Sequence, residues 1–564
     1  MTFNDFKYER PDFEGQKKKL IAWVEDFKTA TSVAKQLEIF KAINQIRNAI
    51  ATMGTLASVR HSIDTRDAFY DAENTYWDEA GPLYAELDAL IYDALLESPF
   101  RHELEAQLGT QFFKLIECEK NAFSPEIIAD LQEENRLASD YDKLLATAVI
   151  EFQGEEYTLS GLGKFTQDKD RAVREAALTA RYAFFEENEE TLDDLYDQLV
   201  QIRGRIAKKL GFNSFTELGY VRMKRTDYNP TDVANFRKQV REIIVPVATA
   251  IHEKQRVRLG LDKLRYFDLG FKFKSGNATP KGEPEWIVAQ GINMYKELSP
   301  ETKEFFDFMV EKNLLDLVNK PGKRGGGYCT YINDYQAPFI FSNFNGTSGD
   351  IDVLTHEAGH AFQVYRSRHI EIPELAFPTY ESCEIHSMSM EFFAWPWMED
   401  FFKEDVEKYK YDHLSSAITF IPYGVLVDEF QHFVYDNPTA SKAQRKAEWR
   451  RLEKIYLPHK DFEGCDYLER GGWWHGQGHI FSSPFYYIDY TLAGICALQF
   501  WKRMMNQDQD AWNDYLALCD VGGSKSFLEL VKIGNLKSPF EDGCVASVIA
   551  DIEGWLNEAI VIDG

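Results

Sequence analysis

Two histidines and a glutamate within one short segment are spaced as the ligands and the base of a metal-dependent hydrolase would be. The segment His356-Glu357-Ala358-Gly359-His360 fits the pattern H-E-x-x-H. On a helix the two histidines lie one turn apart on one face, so both imidazoles can bind one metal ion. The carboxylate of Glu357 is offset by one position and can reach a water on the metal. The motif predicts zinc-dependent hydrolysis, and an ordinary helix that carries two histidines is the alternative.

A third metal ligand is expected, because a catalytic zinc site usually has three protein ligands and one open position. The candidate lies in YESCEIHSMSMEFFAW, which has helical periodicity. Glu384, 24 residues after His360, would give a second helix room to fold back across the first. Glu381, Cys383 and His386 are the other candidates in this segment, and spacing alone does not choose among them.

Two further residues near this site each have two interpretations. Glu391 lies seven residues after Glu384 on the same helical face, where it can orient a ligand histidine or simply face solvent. Gly359 lies inside the predicted helix, where glycine costs about 1 kcal/mol relative to alanine. This cost suggests that something approaches the backbone closely at Gly359, and a crossing helix is the plainest explanation.

A second group of residues that can take part in catalysis lies near the C-terminal end of the chain. The stretch GGWWHGQGHIFSSPFYYIDYTLAG holds His475, His479, Tyr486, Tyr487 and Tyr490. A phenol or imidazole donor beside the metal would stabilise the negative charge that develops on a scissile carbonyl oxygen. For any single tyrosine, packing in a core or groove is the competing interpretation.

The elements that must position these residues are predicted to be mainly helical. Residues 37–50 and 83–95 carry apolar side chains mostly at intervals of three and four, while AVIEFQGEEYTL is predicted to form a hairpin. Gly211 is the predicted C-cap of a later helix. The segment GKRGGGYCTYINDYQAPFIFSNFNGTSGD is predicted to form a strand pair, with Ser348 or Asp350 capping the helix that carries the histidines.

Composition limits the class of protein. The 564 residues favour two to four domains, and 63 Lys and Arg against 91 Asp and Glu give a formal net charge of -28. This charge disfavours nucleic acid and anionic membrane partners. The seven cysteines are scattered and never spaced CxxC, which is typical of free thiols in a reducing compartment. With no visible signal peptide or membrane-spanning segment, we expect a cytoplasmic protein.

Three motifs in order resemble the thimet-oligopeptidase superfamily of zinc metallopeptidases, and most of all its oligoendopeptidase F and Pz-peptidase-like branch. They are HEAGHAFQ, the pattern ExHSxSME, and HIFxxPFYYxxY near the end of the chain. GTSGDIDVLTHEAGHAF and VGGSKSFLELVKIGNLKSP resemble the same branch. The recognisable pattern covers the chain from about residue 325 onward.

The resemblance implies roles for individual residues. One zinc ion is expected, with three ligands, which are His356, His360 and Glu384. Glu357 corresponds to the general base, His479 to a histidine that touches substrate, and Tyr490, with Tyr487 before it, to tyrosines that support the transition state. Relative to the mammalian branch, Pro484 replaces a tyrosine and the spacing from histidine to tyrosine is one residue shorter. The choice among Tyr486, Tyr487 and Tyr490 therefore stays open.

The resemblance also implies a fold. It is mainly α, with two largely helical halves that form a clamshell around a deep catalytic channel and a small β-sheet at the cleft edge. We place an N-terminal helical domain at residues 1–200 and a zincin-like catalytic domain with a C-terminal helical part at 201–564. The strand at 339–344 is expected to be the sheet edge that pairs with substrate backbone.

These observations together predict a zinc-dependent endopeptidase that hydrolyses internal bonds of short oligopeptides. Two alternatives are weighed against it. A carboxypeptidase or dipeptidase would need a clamp for a terminal carboxylate, and the sequence identifies none. A helical peptide-binding scaffold with a structural metal would not need Glu357. The sequence leaves the oligomeric state and the cleavage preference open.

Overall fold

The computed structural model describes residues 1–559 and has the predicted mainly α architecture. The last five residues of the predicted catalytic domain, 560–564, lie outside the described residues. Within the described chain, no helix is both long enough and apolar enough to cross a membrane.

The N-terminal part of the chain is a group of packed helices. Helices α1 to α6 are Phe13–Thr29, Val33–Ile63, Ala68–Leu96, Arg101–Leu108, Thr110–Asn121 and Ile128–Ala146. The first three begin at side-chain caps, since Asp12, Ser32 and Asp67 each accept a hydrogen bond from a backbone N–H of the first turn. The apolar faces of α1 to α5 form a core of their own, to which Leu375 from the other half also belongs.

The predicted hairpin and C-cap are confirmed. Strands β1 and β2, Ile150–Phe152 and Glu155–Tyr157, pair antiparallel across a turn at Gln153 and Gly154, both of which have positive φ. Helices α7 to α13 follow, at Arg171–Glu187, Glu189–Lys209, Phe215–Arg222, Pro230–Gln239, Val245–Leu259, Pro284–Leu298 and Pro300–Glu311. Gly211 follows α8 with a φ of 85°, as a helix-ending glycine should.

Residue 200, the predicted end of the N-terminal domain, lies inside α8, and the domain boundary there stays a prediction.

A three-stranded sheet precedes the histidine motif. Strands β3, β4 and β5 are Leu315–Val318, Tyr328–Ile332 and Ala337–Phe344, in the order β3-β5-β4. The predicted pairing of β4 with β5 is confirmed, with Tyr328 opposite Phe341 in an antiparallel register. The prediction that residues 339–344 form a sheet edge is wrong, because β3 pairs parallel with the other side of β5. The strand at the edge beside the histidine motif is β4.

The remaining helices follow this sheet in the chain. Helices α14 to α24 are Gly349–Arg366, Tyr380–Phe393, Met398–Phe402, Val406–Asp436, Lys442–Tyr456, Asp466–Glu469, Gly478–Ser482, Tyr487–Met505, Ala511–Asp520, Phe527–Ile533 and Cys544–Glu558. Of these helices, α14 packs directly against β4 and β5, and α15 packs between α14 and α21. Helix α14 carries His356, Glu357 and His360, α15 carries Glu384, and α21 carries Tyr487 and Tyr490, while His479 lies on α20.

The start of α14 shows what Ser348 and Asp350 do, and the crossing of α14 with α15 shows why residue 359 is glycine. Ser348 occupies the N-cap position without a capping side-chain bond, while the carboxylate of Asp350 accepts from the backbone N–H groups of Asn345 and Gly346 at 2.9 and 2.8 Å. A β-carbon at Gly359 would lie 2.6 Å from the carbonyl oxygen of His386. The crossing-helix explanation of Gly359 is therefore confirmed.

Candidate active site

The two histidines of α14 and Glu384 of α15 converge on one point. Nε2 of His356 lies 3.1 Å from Oε2 of Glu384, and Nε2 of His360 lies 3.3 Å from the same oxygen. The three potential ligand atoms all lie within 4.8 Å of one another. One turn of α14 separates the histidines, and the close crossing at Gly359 brings the carboxylate of α15 to them.

These donors suit a catalytic zinc ion. Two imidazole nitrogens and one carboxylate oxygen form a common ligand set for zinc, with a fourth position for water or substrate. Burial alone would raise the pKa of Glu384, but the imidazoles of His360 and His356 hold it well below its usual range. Glu384 thus offers a buried carboxylate oxygen within 3.3 Å of both imidazoles.

The other candidates for the third ligand have different surroundings. Nδ1 of His386 donates to the carbonyl oxygen of Ser382 at 2.8 Å, and the thiol of Cys383 donates to the carbonyl oxygen of Pro378 at 3.3 Å. Glu381 does not belong to the ligand group found among the described residues, and Glu384 does.

A hydrogen-bond chain that runs into the protein interior orients His356. Its Nδ1 donates to Oε1 of Glu391 at 2.7 Å, while Oε2 of Glu391 accepts from Nε2 of His413 at 2.7 Å. The indole N–H of Trp395 donates to Nδ1 of His413 at 2.9 Å. The chain leaves Nε2 of His356 free to bind a metal. Of the two interpretations of Glu391, the orienting one therefore applies.

Glu357 faces the cavity beside these ligands. Its side chain is buried, and its Oε2 atom has no hydrogen-bond partner among the described residues. Burial raises the pKa of this carboxyl above its usual value. Gly327, directly before β4, leaves room for it, since a β-carbon there would lie 3.2 Å from Oε1 of Glu357. The arrangement places a carboxylate whose Oε2 is unpartnered among the described residues next to the two histidines and Glu384.

His479, Tyr486 and Tyr490 line the same cavity beside the ligand group. Nε2 of His479 lies 3.1 Å from the hydroxyl of Tyr490, and Nδ1 of His479 lies 2.9 Å from Nε2 of Gln477. Burial lowers the pKa of His479 to about 4, so its ring is neutral near pH 7. The hydroxyl of Tyr486 donates to Oε1 of Glu384. Tyr490 and His479 thus supply neutral donors beside the ligand group.

Comparison with known proteins identifies the family. Residues 3–123 match the model of the peptidase M3 N-terminal domain, and residues 164–548 match the model of peptidase family M3. The chain belongs to peptidase family M3. The resemblance found in the sequence is therefore confirmed.

Two solved structures agree with this family assignment. The M3 chain is 57% identical to Pz peptidase A with inhibitor 2, with a TM-score of 0.98 and full coverage of both chains. A putative oligoendopeptidase F from Bacillus anthracis str. Ames is also 57% identical, with a TM-score of 0.94, over 100% of this chain and 99% of that one. These names support a metalloendopeptidase.

A more distant curated relative is an oligoendopeptidase F homolog of Borreliella burgdorferi. It is 25% identical over 382 residues, which are 65% of this chain and 62% of the relative. The M3 chain therefore spans less than two thirds of the length of this curated relative.

The site of this M3 peptidase lies in a cavity of about 1100 Å³. Both halves of the chain line it. The first half contributes residues such as Leu115, Tyr141, Arg181 and Lys224, and the second half contributes the glycines of the β4 edge, the metal-ligand group, His479 and Tyr490. The cavity is the deep channel that the family resemblance implied.

Tyr487 and His475 lie behind the cavity wall. Tyr487 is buried and its ring contacts those of His479 and Tyr423, whereas Tyr486 and Tyr490 line the cavity. His475 is fully buried, and its Nε2 lies 2.9 Å from a carboxylate oxygen of Asp193. The structure thus brings Tyr486 and Tyr490, and neither Tyr487 nor His475, to the cavity surface.

Three residues of the site were absent from the sequence analysis. They are Trp395 and His413, which belong to the series of hydrogen bonds that ends at His356, and Gln477, which bonds to His479. No spacing rule links Trp395 or His413 to the histidine motif, because the fold alone brings them together. Gln477 did carry a signal, since it lies two residues before His479.

Proposed function

We propose that this M3 peptidase is a cytoplasmic zinc-dependent endopeptidase that hydrolyses internal peptide bonds of short oligopeptides. The convergence of the H-E-x-x-H histidines and Glu384, with the unpartnered carboxylate of Glu357 beside them, carries the proposal. The family assignment and the names of the similar solved structures support it.

One zinc ion would be held by His356, His360 and Glu384. When bound, zinc would supply Lewis-acid polarisation of the scissile carbonyl and lower the pKa of water. Glu357 takes the proton of the attacking water and passes it to the departing amine. Its raised pKa supports this role, because a carboxyl closer to neutrality accepts and returns a proton more readily.

Tyr490 and His479 would donate hydrogen bonds to the carbonyl oxygen as negative charge develops there. We assign the phenol donor to Tyr490 rather than to its two neighbours. Tyr486 already donates to Glu384, and Tyr487 packs behind the cavity wall. In this assignment Tyr486 holds the orientation of a zinc ligand, and Tyr487 supports the His479 ring from behind.

The substrate backbone would lie along the edge of β4. Gly325, Gly326 and Gly327 line the cavity directly before this strand, and β4 pairs with β5 on one side only. An extended peptide added to this edge would pass the Glu357 carboxylate, which lies next to Gly327. A site enclosed between two halves of the chain favours flexible peptides over folded proteins.

The test is cleavage of a doubly blocked, internally quenched peptide of about eight to ten residues, roughly 26–36 Å when extended. Products are identified by mass before chelation, after chelation and after zinc is added back. We expect internal cuts that vanish on chelation and return with zinc. Cleavage only of peptides with free ends would replace the proposal with a terminal-cutting enzyme. No cleavage with zinc stoichiometrically bound would indicate a peptide-binding scaffold.

A further inference from the structure

The cationic side chains that line the cavity differ in their pairing. There are five of them among the described residues: Arg181, Arg222, Lys224, Lys323 and Arg324. Four have a carboxylate within ion-pair distance: Arg222 with Glu134 at 3.0 Å, Lys224 with Glu119 at 2.7 Å, Lys323 with Asp316 at 2.5 Å, and Arg324 with Asp142 at 2.7 Å. Within residues 1–559, Arg181 has no carboxylate at such a distance.

Arg181 also has unused hydrogen-bonding capacity. It lies on α7, and its Nη1 donates to the carbonyl oxygen of Leu159 at 2.9 Å. Its guanidinium carbon lies 5.6 Å from the ring centroid of Phe185, a contact that leaves the N–H groups free. A guanidinium carries five N–H donors in a fork that fits a carboxylate. The Leu159 bond uses one of these donors.

The position of Arg181 links it to the candidate active site. Its neighbour Phe185 packs next to Gly476, where a β-carbon would lie 3.3 Å from the Phe185 ring. Gly476 leads directly through Gln477 to His479, and all of these residues line the same cavity. Arg181 therefore shares the cavity with the candidate active site and lies on a helix that contacts the segment leading to His479.

The charge of this part of the cavity is also favourable. Arg181, Arg324 and Asp142 all line this cavity; Arg324 is balanced by Asp142, whereas Arg181 adds a guanidinium charge that no carboxylate among residues 1–559 balances within ion-pair distance. The whole chain carries a net charge of -28, which would repel acidic peptides at long range. A guanidinium that no carboxylate balances, inside an acidic protein, can orient an anionic group once the peptide has entered.

We propose that Arg181 binds a carboxylate of the substrate, either the C-terminal carboxylate or an acidic side chain. The proposal rests on the proposed endopeptidase function and adds a subsite to it. It also gives the channel an anchor for short peptides, because a free C-terminus lies close to the scissile bond only when the peptide is short. The anchor does not exclude blocked peptides, since the reacting groups are separate from it.

The test compares peptides that differ only at the carboxylate. An N-acetylated peptide with glutamine near its C-terminus is prepared as free acid and as amide, and the amide is also prepared with glutamate in place of that glutamine. We expect the wild-type enzyme to favour a carboxylate-bearing peptide about 10-fold in kcat/KM, as a charge-assisted pair permits. Arg181→Gln should remove that preference and leave kcat for the plain amide within about 2-fold. Preference for the free acid identifies the terminus as ligand, and preference for the glutamate peptide identifies the side chain.

Two variants serve as controls. Arg181→Lys should retain part of the preference, since it keeps the charge and loses the fork. Lys224→Gln changes another cavity cation whose charge is already balanced by Glu119, so the preference should persist. The inference is overturned if internal cleavage occurs but the carboxylate preference is absent or survives in Arg181→Gln. Absence of internal cleavage by the wild-type enzyme would instead refute the proposed function.

Discussion

The side-chain amide of Gln477 donates a hydrogen bond to Nδ1 of His479 over 2.9 Å. Its direction follows from the other end of the amide, where Oε1 of Gln477 accepts from the hydroxyl of Tyr423 at 2.7 Å. Nδ1 of His479 is therefore the acceptor, and the proton of the neutral ring lies on Nε2. Nε2 lies 3.1 Å from the Tyr490 hydroxyl. The hydrogen bond from Gln477 thus keeps the N–H of the His479 ring on Nε2, the nitrogen that faces Tyr490.

Removal of this amide should weaken catalysis without loss of metal. In Gln477→Met, which keeps the side-chain length, the ring of His479 can adopt either tautomer and donates from Nε2 only part of the time. We expect kcat to fall about 10-fold or more, with KM and zinc content near wild type. The ¹⁵N shifts of His479 should change from one tautomer to a mixture. Gln499→Met is the matched control, since Gln499 bonds to the carbonyl oxygen of Lys537, away from the cavity. Unchanged kcat and ¹⁵N shifts in Gln477→Met would contradict this role.

The base proposed at Glu357 has a separate signature. Glu357→Gln keeps the shape of the side chain and removes its ability to take a proton, so turnover should fall by about 10²–10⁴-fold. Zinc content and the thermal midpoint should stay close to those of the wild type, because the three ligands are untouched. Metal analysis and single-turnover rates on the same preparation separate these effects. Near-normal turnover in the glutamine variant would show that another group moves the proton.

The orienting chain at His356 predicts an effect on zinc binding alone. Trp395→Phe removes the N–H that donates to His413, which in turn donates to Glu391. The ligand His356 is then held less firmly, and we expect zinc affinity to fall about 10-fold. Competition with a chelator of known affinity measures this without any substrate.

A neighbouring tryptophan provides the control for that experiment. The indole N–H of Trp397 donates to Glu297 at 2.9 Å, away from the metal ligands. Trp397→Phe should therefore leave zinc affinity unchanged. Equal affinities in the Trp395 and Trp397 variants would mean that the indole bond to His413 does not support the site.

The sequence was informative wherever function depends on local spacing. One helical turn between His356 and His360 follows from the chain itself, and the strand pair before them follows from β-branched and aromatic residues. Glu384 could be preferred over its neighbours only by resemblance. Spacing alone did not show which face of α15 turns toward α14, because that choice depends on tertiary packing.

Long-range pairing was beyond the sequence. Strand β3 is short and partly exposed, and its parallel pairing with β5 placed residues 339–344 in the middle of the sheet. His413 lies 22 residues beyond Glu391 on a different helix, so no periodic pattern joins them. Such contacts are set by how helices pack, and single-sequence patterns carry little of that information.

The close crossing of α14 and α15 gives the last prediction. Gly359→Ala would put a β-carbon 2.6 Å from both the carbonyl oxygen of His386 and the Cα of Ser387. Backbone atoms cannot move aside as a side-chain end can, so the helices must separate. We expect about 1–3 kcal/mol of destabilisation. Glu384 lies on α15 three residues before Ser387, so its carboxylate should also move away from the two imidazoles and zinc affinity should fall.

Gly204 is the matched control because it also lies inside a helix, where a β-carbon would contact nothing within 4 Å. Gly204→Ala should raise stability by up to about 1 kcal/mol through helix propensity alone. Denaturant midpoints and zinc competition on both variants measure the two effects. If Gly359→Ala is as stable as Gly204→Ala and binds zinc like the wild type, the helix crossing does not require glycine at this position. Lower stability with unchanged zinc affinity would show that the crossing supports the fold while Glu384 keeps its place by other contacts.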